Sequence, residues 1–162
     1  MIQVKSKSVV GYALLDAVLI AAACLIPAAS HMFALPLYQF NPMLAILLVG
    51  ILAGRDWRNG ILLAVLLPLV SCLVAGMPTA PKMVCMMAEL ATVASLFAWL
   101  QRRWAVLPAV LVSVLAAKVV YYVMKAIVIA PAVLVGTDWK VQLLAVLAWG
   151  GLFALVYRKK QN

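Results

Sequence analysis

Four charged side chains fall inside otherwise apolar stretches of this 162-residue chain: Asp16, Glu89, Lys118 and Lys125. A charge in hydrocarbon is costly, so each is expected to face the interior of a helical bundle and to find a partner there. Glu89 and Lys125 each lie a short way in from the same side of their runs, on the order of 8–10 Å deep at the rise of a helix. Asp16 and Lys118 both fall near mid-run. Matching depths predict that Glu89 faces Lys125 and Asp16 faces Lys118, unless a substrate separates one of these pairs. A buried ion pair of purely structural use fits the same residues equally well. Lys118, Tyr121 or Tyr122, and Lys125 recur at helical spacing, which gives one polar, inward-facing stripe. Such a stripe could receive an anionic or aromatic ligand, or simply knit helices together through hydrogen bonds.

Enzyme chemistry has little to work with. The single histidine, His31, has no acid near it in sequence, and Ser71 and Ser95 have no identifiable base. Neither a metalloprotease motif nor a pair of carboxylates is present, so no catalytic residue is expected and the chain does not read as an enzyme. Gly54 to Gly60 lacks the spacing of a phosphate-binding loop, so any energy for transport must come from a partner or a gradient. Cys24, Cys72 and Cys85 lack metal-ligand spacing and read as small buried apolar residues. A thiolate role for Cys85 is the lesser reading, and no metal or cofactor is expected.

The elements that must position these residues follow from composition. The chain is 69% apolar with a mean hydropathy of +1.16, far above a soluble domain, which predicts an integral membrane protein. The expected fold is an all-α bundle of six transmembrane helices forming one membrane domain over 1–162. The helices are expected near 9–27, 43–54, 60–74, 83–100, 108–130 and 139–157. The second and third are short and irregular against the ~20 residues that a span requires. Asp16 and the length of the first run argue against a signal peptide.

A net charge of +9 suggests nucleic acid at first sight, but the basic residues cluster at the ends of apolar runs. Lys5, Lys7, Arg55, Arg58, Arg102, Arg103, Arg158, Lys159 and Lys160 fall on one side of the expected topology, and Lys82 and Lys140 on the other. That bias predicts both termini in the cytoplasm. Trp57, Trp104, Trp139 and Tyr157 stand at run ends, as interfacial aromatics do.

The stretch from Asn41 to Leu100 carries a further pattern. It holds Pro42, Met43, Leu47, Leu48 and Gly50; then Gly54 and Gly60; then Pro68, Leu69 and Ser71; then Gly76, Met77 and Pro78; then Glu89 and Leu90. In order and spacing this resembles the S components of energy-coupling factor transporters, the substrate-binding membrane subunits of prokaryotic vitamin importers. Lys118 matches a position where relatives often carry a basic residue. Ala13, Ala17 and Ala21 in the first helix resemble the family's small-residue contact motif, and small residues at that spacing permit close helix approach. There are departures: Leu44 stands where one branch has His, Ile46 replaces a Pro, and Arg55-Asp56 replaces the Pro after Gly54. Those at Leu44 and Ile46 fall where a ligand would be read, so the cargo is not carried over.

The resemblance implies a subunit of the prokaryotic plasma or inner membrane that binds a vitamin-like micronutrient near the outer face. It would then dock through Ala13, Ala17 and Ala21 on a transmembrane coupling subunit associated with two ATPases, and release its ligand inside. The candidate ligand contacts are His31, Tyr38, Asn41, Met43, Lys82, Met86, Glu89, Lys118, Tyr122, Lys125, Trp139 and Gln142. For Met43, Met83, Met86 and Met87 ordinary core filling is the competing role, and Trp139 also suits an interfacial anchor. The rival function is a solitary permease of the same fold, working without an ATPase.

Overall fold

The structure, a computed structural model, describes residues 6–32, 41–54, 57–129 and 139–161. These residues form six helices and no strand: α1 (Ser6–Met32), α2 (Pro42–Gly54), α3 (Trp57–Ala75), α4 (Ala80–Leu100), α5 (Val106–Val128) and α6 (Trp139–Gln161). Stretches of α1, α3, α4 and α5 are long and apolar enough to cross a membrane, namely Val10–Pro27, Arg58–Ala75, Ala80–Leu100 and Val106–Val128. The apolar parts of α2 and α6 are shorter. Outward-facing positions are themselves apolar: Leu14, Val18, Leu73, Val119, Ile127, Leu144 and Leu155 are all exposed. A helix that is apolar all round belongs in lipid.

Several boundaries differ from the sequence expectation, α4 starting at Ala80 and α6 running to Gln161, and two of the differences bear on helix length. α1 continues through Pro27 to Met32, and α3 starts at Trp57 and passes through Pro68 to reach 19 residues. The third helix is therefore not short; of the two, only α2, with 13 residues, is. A proline removes one backbone hydrogen bond, and neighbouring groups in a membrane bundle can tolerate that loss. Pro68 is itself fully buried, so its ring fills core volume.

The core joins α2, α3, α4, α5 and α6 through Leu44, Leu47, Leu63, Leu67, Leu90, Val93, Val110, Val114 and Val146. Phe97 on α4 meets Phe153 on α6 edge to face, ring centroids 5.4 Å apart. Gly50 lets α2, α3 and α1 approach, because a Cβ there would collide with Leu63 Cδ1 and lie 3.3 Å from Leu19 Cδ1. Neighbours run antiparallel: Tyr122 meets Gln142 while Gly150 lies against Val110 and Leu111. α4 and α5 are joined by only residues 101–105, where the amides of Arg103 and Trp104 both donate to the Leu100 carbonyl. They pack against each other more extensively than any other pair.

Candidate functional site

The α4–α5 seam changes character along its length. Near the 101–105 turn its buried faces are apolar, with Val93, Ala94 and Phe97 opposite Ala109, Val110 and Val114. Toward the other end the same two faces carry Cys85 and Glu89 on α4, and Lys118, Tyr121 and Lys125 on α5. Helical spacing brings each of these to the inward stripe, so the charges cannot reach solvent without breaking the helices.

Glu89 is the centre of this polar half. Its Oε1 accepts from Lys118 Nζ at 2.7 Å and from Asn41 Nδ2 at 2.9 Å. All three side chains are buried, Glu89 with 2% and Lys118 with 8% of its surface exposed. Lys118 Nζ also stands 5.0 Å from the Tyr121 ring centroid, a cation–π contact that offsets part of the lost hydration. The charge therefore has two attractive neighbours, as a buried lysine requires.

Asn41 reaches Glu89 from a special backbone position. Its φ is +49°, in the left-handed region that asparagine tolerates better than most residues. Its carbonyl accepts from the amides of Leu44 (3.1 Å) and Ala45 (3.4 Å), which starts α2, and Pro42 follows at the first helical position. The side chain points to α4 rather than capping its own helix. One residue thus begins α2 and ties it to the buried acid.

The structure corrects both sequence pairings. Glu89 pairs with Lys118, not Lys125, and Asp16 accepts from Asn59 Nδ2 at 3.0 Å rather than facing Lys118. The first error came from measuring depth along runs instead of counting from the shared turn. Glu89 lies 11 residues before Leu100 (100 − 89) and Lys118 lies 12 after Val106 (118 − 106), so a tight antiparallel hairpin places them level. The same count puts Lys82 (100 − 82 = 18) level with Lys125 (125 − 106 = 19). The second error has a topological cause. α1 packs on α2 and α3, and among the described residues it makes no contact with α5.

The remaining predicted residues scatter around this centre. Tyr122 donates to Gln142 Oε1 at 3.2 Å, joining α5 to α6 beside the cluster. Met43 belongs to the hydrophobic core and Met86 packs against it, the core-filling role. Lys125 is buried with 8% of its surface exposed, and Lys82 is half-buried. Tyr38 lies outside the described residues, as do the side chains of His31, in the last turn of α1, and Trp139, which opens α6. Ala13, Ala17 and Ala21 all fall on the exposed side of α1.

Three participants were not singled out as site residues from sequence: Asn59, Tyr121 and Cys85. Tyr121 rather than Tyr122 shares the buried face with Lys118, a distinction that spacing alone leaves open. Ser71 also has a structural part, donating to the Met77 carbonyl at 2.7 Å and fixing the turn at Gly76, whose φ is +67°. Ser113 and Thr92 satisfy their hydroxyls on carbonyls four residues earlier and are thereby accounted for. No group of three or more His, Cys, Asp or Glu side chains that could hold a metal occurs among the described residues.

No family model, curated protein or solved structure matches this chain. Its function must be read from its own geometry.

Proposed function

We propose that the chain is the substrate-binding membrane subunit of an energy-coupling factor importer, capturing a vitamin-like micronutrient at the outer face of a prokaryotic cell membrane. In this reading all six helices serve as the membrane bundle. Both termini face the cytoplasm, since all the arginines, with Lys5, Lys7, Lys159 and Lys160, gather at that side, against Lys82 and Lys140 on the other. The observation that carries the reading is the division of labour between α1 and the α4–α5 seam. α1 presents Ala13, Ala17 and Ala21 on an exposed face, where a second membrane protein can approach closely. The buried Glu89–Lys118 ion pair, with Asn41 hydrogen-bonded to it, lies away from that face, and intramembrane charges of this kind mark solute pathways. Docking and ligand capture therefore use separate surfaces, as a subunit that passes its cargo to an ATP-driven partner requires.

Purification of the tagged full chain from native membranes tests this. The expected result is a stable complex with a larger membrane subunit and two ATPases, together with ATP-dependent uptake on reconstitution. A chain that purifies without ATPases and still mediates solute uptake in proteoliposomes is instead a solitary permease.

A further inference from the structure

α2 is enclosed on three sides only. It packs on α1, α3, α4 and α6, while α1 and α6 make no contact with each other among the described residues. The buried face of α2 carries Leu44, Leu47 and Ile51. Ala45, Val49 and Ala53 recur every fourth residue on the opposite face, and Val49 is 48% exposed. An apolar groove therefore runs between α1 and α6 with this stripe as its floor. One wall is α1. Its Asp16 turns to Asn59 of α3, so the exposed Val18, on the other side of Leu19, borders the groove. The other wall is α6, where Trp149 packs on the core and the exposed Leu152 and Val156 follow on the same side. Ala13, Ala17 and Ala21 lie past Asp16 on the α3 side of α1, so the docking face and the groove are different surfaces.

The walls outrun the floor at one end. Leu19 and Leu63 both lie at Gly50, and Asp16 meets Asn59, so α1 runs parallel to α3 and antiparallel to α2. Leu15 (19 − 4) is then level with Gly54 (50 + 4), where α2 ends. Gly60 lies against both Ile51 and Ala94, which sets Gly54 (51 + 3) level with Phe97 (94 + 3). Phe97 in turn touches Phe153 of α6. Residues 6–14 of α1 and 154–161 of α6 therefore project past the end of α2, by about 12 Å at the rise of a helix. These two projections contain Lys7, Arg158, Lys159 and Lys160 and no acid. Basic residues thus stand on both sides of one mouth of an apolar groove.

We infer that the groove seats one anionic phospholipid. Its acyl chains lie along Ala45, Val49 and Ala53, and its phosphate sits at the mouth between the ends of α1 and α6. A free anion would use the charges and leave the apolar length uncovered; a neutral lipid would do the reverse. An amphiphile with a negative head matches both. Basic clusters where transmembrane helices meet the membrane surface attract such headgroups. The inference needs the chain in a membrane but neither an ATPase nor a cargo, so it stands or falls apart from the importer reading.

Native mass spectrometry of the full chain in detergent tests this, with phosphatidylglycerol, phosphatidylethanolamine of the same acyl chains, and glycerol phosphate as titrants. The expected result is saturable retention of one phosphatidylglycerol, at least about tenfold tighter than phosphatidylethanolamine, and no retention of glycerol phosphate. The double variant Arg158→Gln/Lys159→Gln should weaken phosphatidylglycerol binding about tenfold or more, since each basic residue near a headgroup contributes roughly fivefold. Arg102→Gln/Arg103→Gln removes the same charge from the α4–α5 turn, outside the groove, and should leave that binding unchanged. Val49→Trp fills the floor and should also weaken it; if that variant does not fold, Leu152→Trp on the exposed wall replaces it. Equal retention of the two lipids overturns the inference, as does an equal loss in both charge variants. So does phosphatidylglycerol binding unchanged in the folded tryptophan variant. Glycerol phosphate bound as tightly as the lipid reduces the site to an anion site, and no saturable lipid at all leaves the groove to a protein partner; both reject the inference.

Discussion

α1 and the α4–α5 seam are both apolar helical structure interrupted by an acid, yet they solve the acid differently. Of the membrane-length window of α1, 11% is buried within the protein, against 39% for α4 and for α5. Asp16 on α1 is partly buried and answered by a neutral amide from Asn59. Glu89 on α4 is sealed and answered by a cation and an amide together. The difference teaches that a carboxylate in an apolar run has no fixed meaning. Where α1 leaves the bundle's surface open, one hydrogen bond suffices. Where α4 and α5 close over the acid, its charge must be matched, and the match then constrains three helices at once.

Substitutions on the two sides should separate accordingly. The largest effect on activity is expected from Ala17→Trp, which places a bulky side chain on the exposed face of α1. Uptake should be abolished while ligand binding and thermal stability in detergent stay at the parent level; surviving uptake would remove α1 from partner docking. The largest effect on stability belongs to the seam. Lys118→Met strands a buried carboxylate and should cost about 3–5 kcal/mol in reversible unfolding. Adding Glu89→Gln should recover most of that loss, because no uncompensated charge remains, and a purely additive double mutant would disprove the pairing. Asn41→Ala removes one amide bond to the same carboxylate and should cost about 1.5–3 kcal/mol. Asn59→Ala acts on the more open Asp16, so a loss of about 1 kcal/mol is expected in the same unfolding measurement, the size of an ordinary hydrogen bond. Leu14→Ala, on the exposed face of α1, should change stability by less than about 0.5 kcal/mol. Should Asn59→Ala prove as damaging as Lys118→Met, the contrast between the two regions would fail.

Much of the architecture was legible in the sequence because it follows from composition and punctuation. Apolar runs of membrane length, the short run before Gly54 and the turn at Gly76-Met77-Pro78 each leave a local signature. The helix ends at Pro27 and before Gly60 were misread for one reason. Local rules treat a proline or a turn-like Asn-Gly as a stop, whereas packing carried α1 through Pro27 and let α3 begin at Trp57. Within the site, sequence found Glu89, Lys118 and Lys125 as expensive charges but assigned their partners wrongly. The hairpin register was available in principle, since equal distances from the Gln101–Ala105 turn would have joined Glu89 to Lys118. Asn59 gave no signal of its own, since an asparagine at a helix start is ordinary.

What the sequence by itself determined is therefore the solvent for which this chain is built and the few residues that cannot tolerate that solvent alone. Hydropathy sums over many positions, so it survives errors at any one of them. Tertiary structure decided who answers each charge. It set Asn41 in a left-handed turn facing Glu89, left both contacts on a single carboxylate oxygen, and kept α1 away from α5. Those outcomes depend on angstrom-scale register between distant segments, and no local pattern encodes a distance between helices until they have packed.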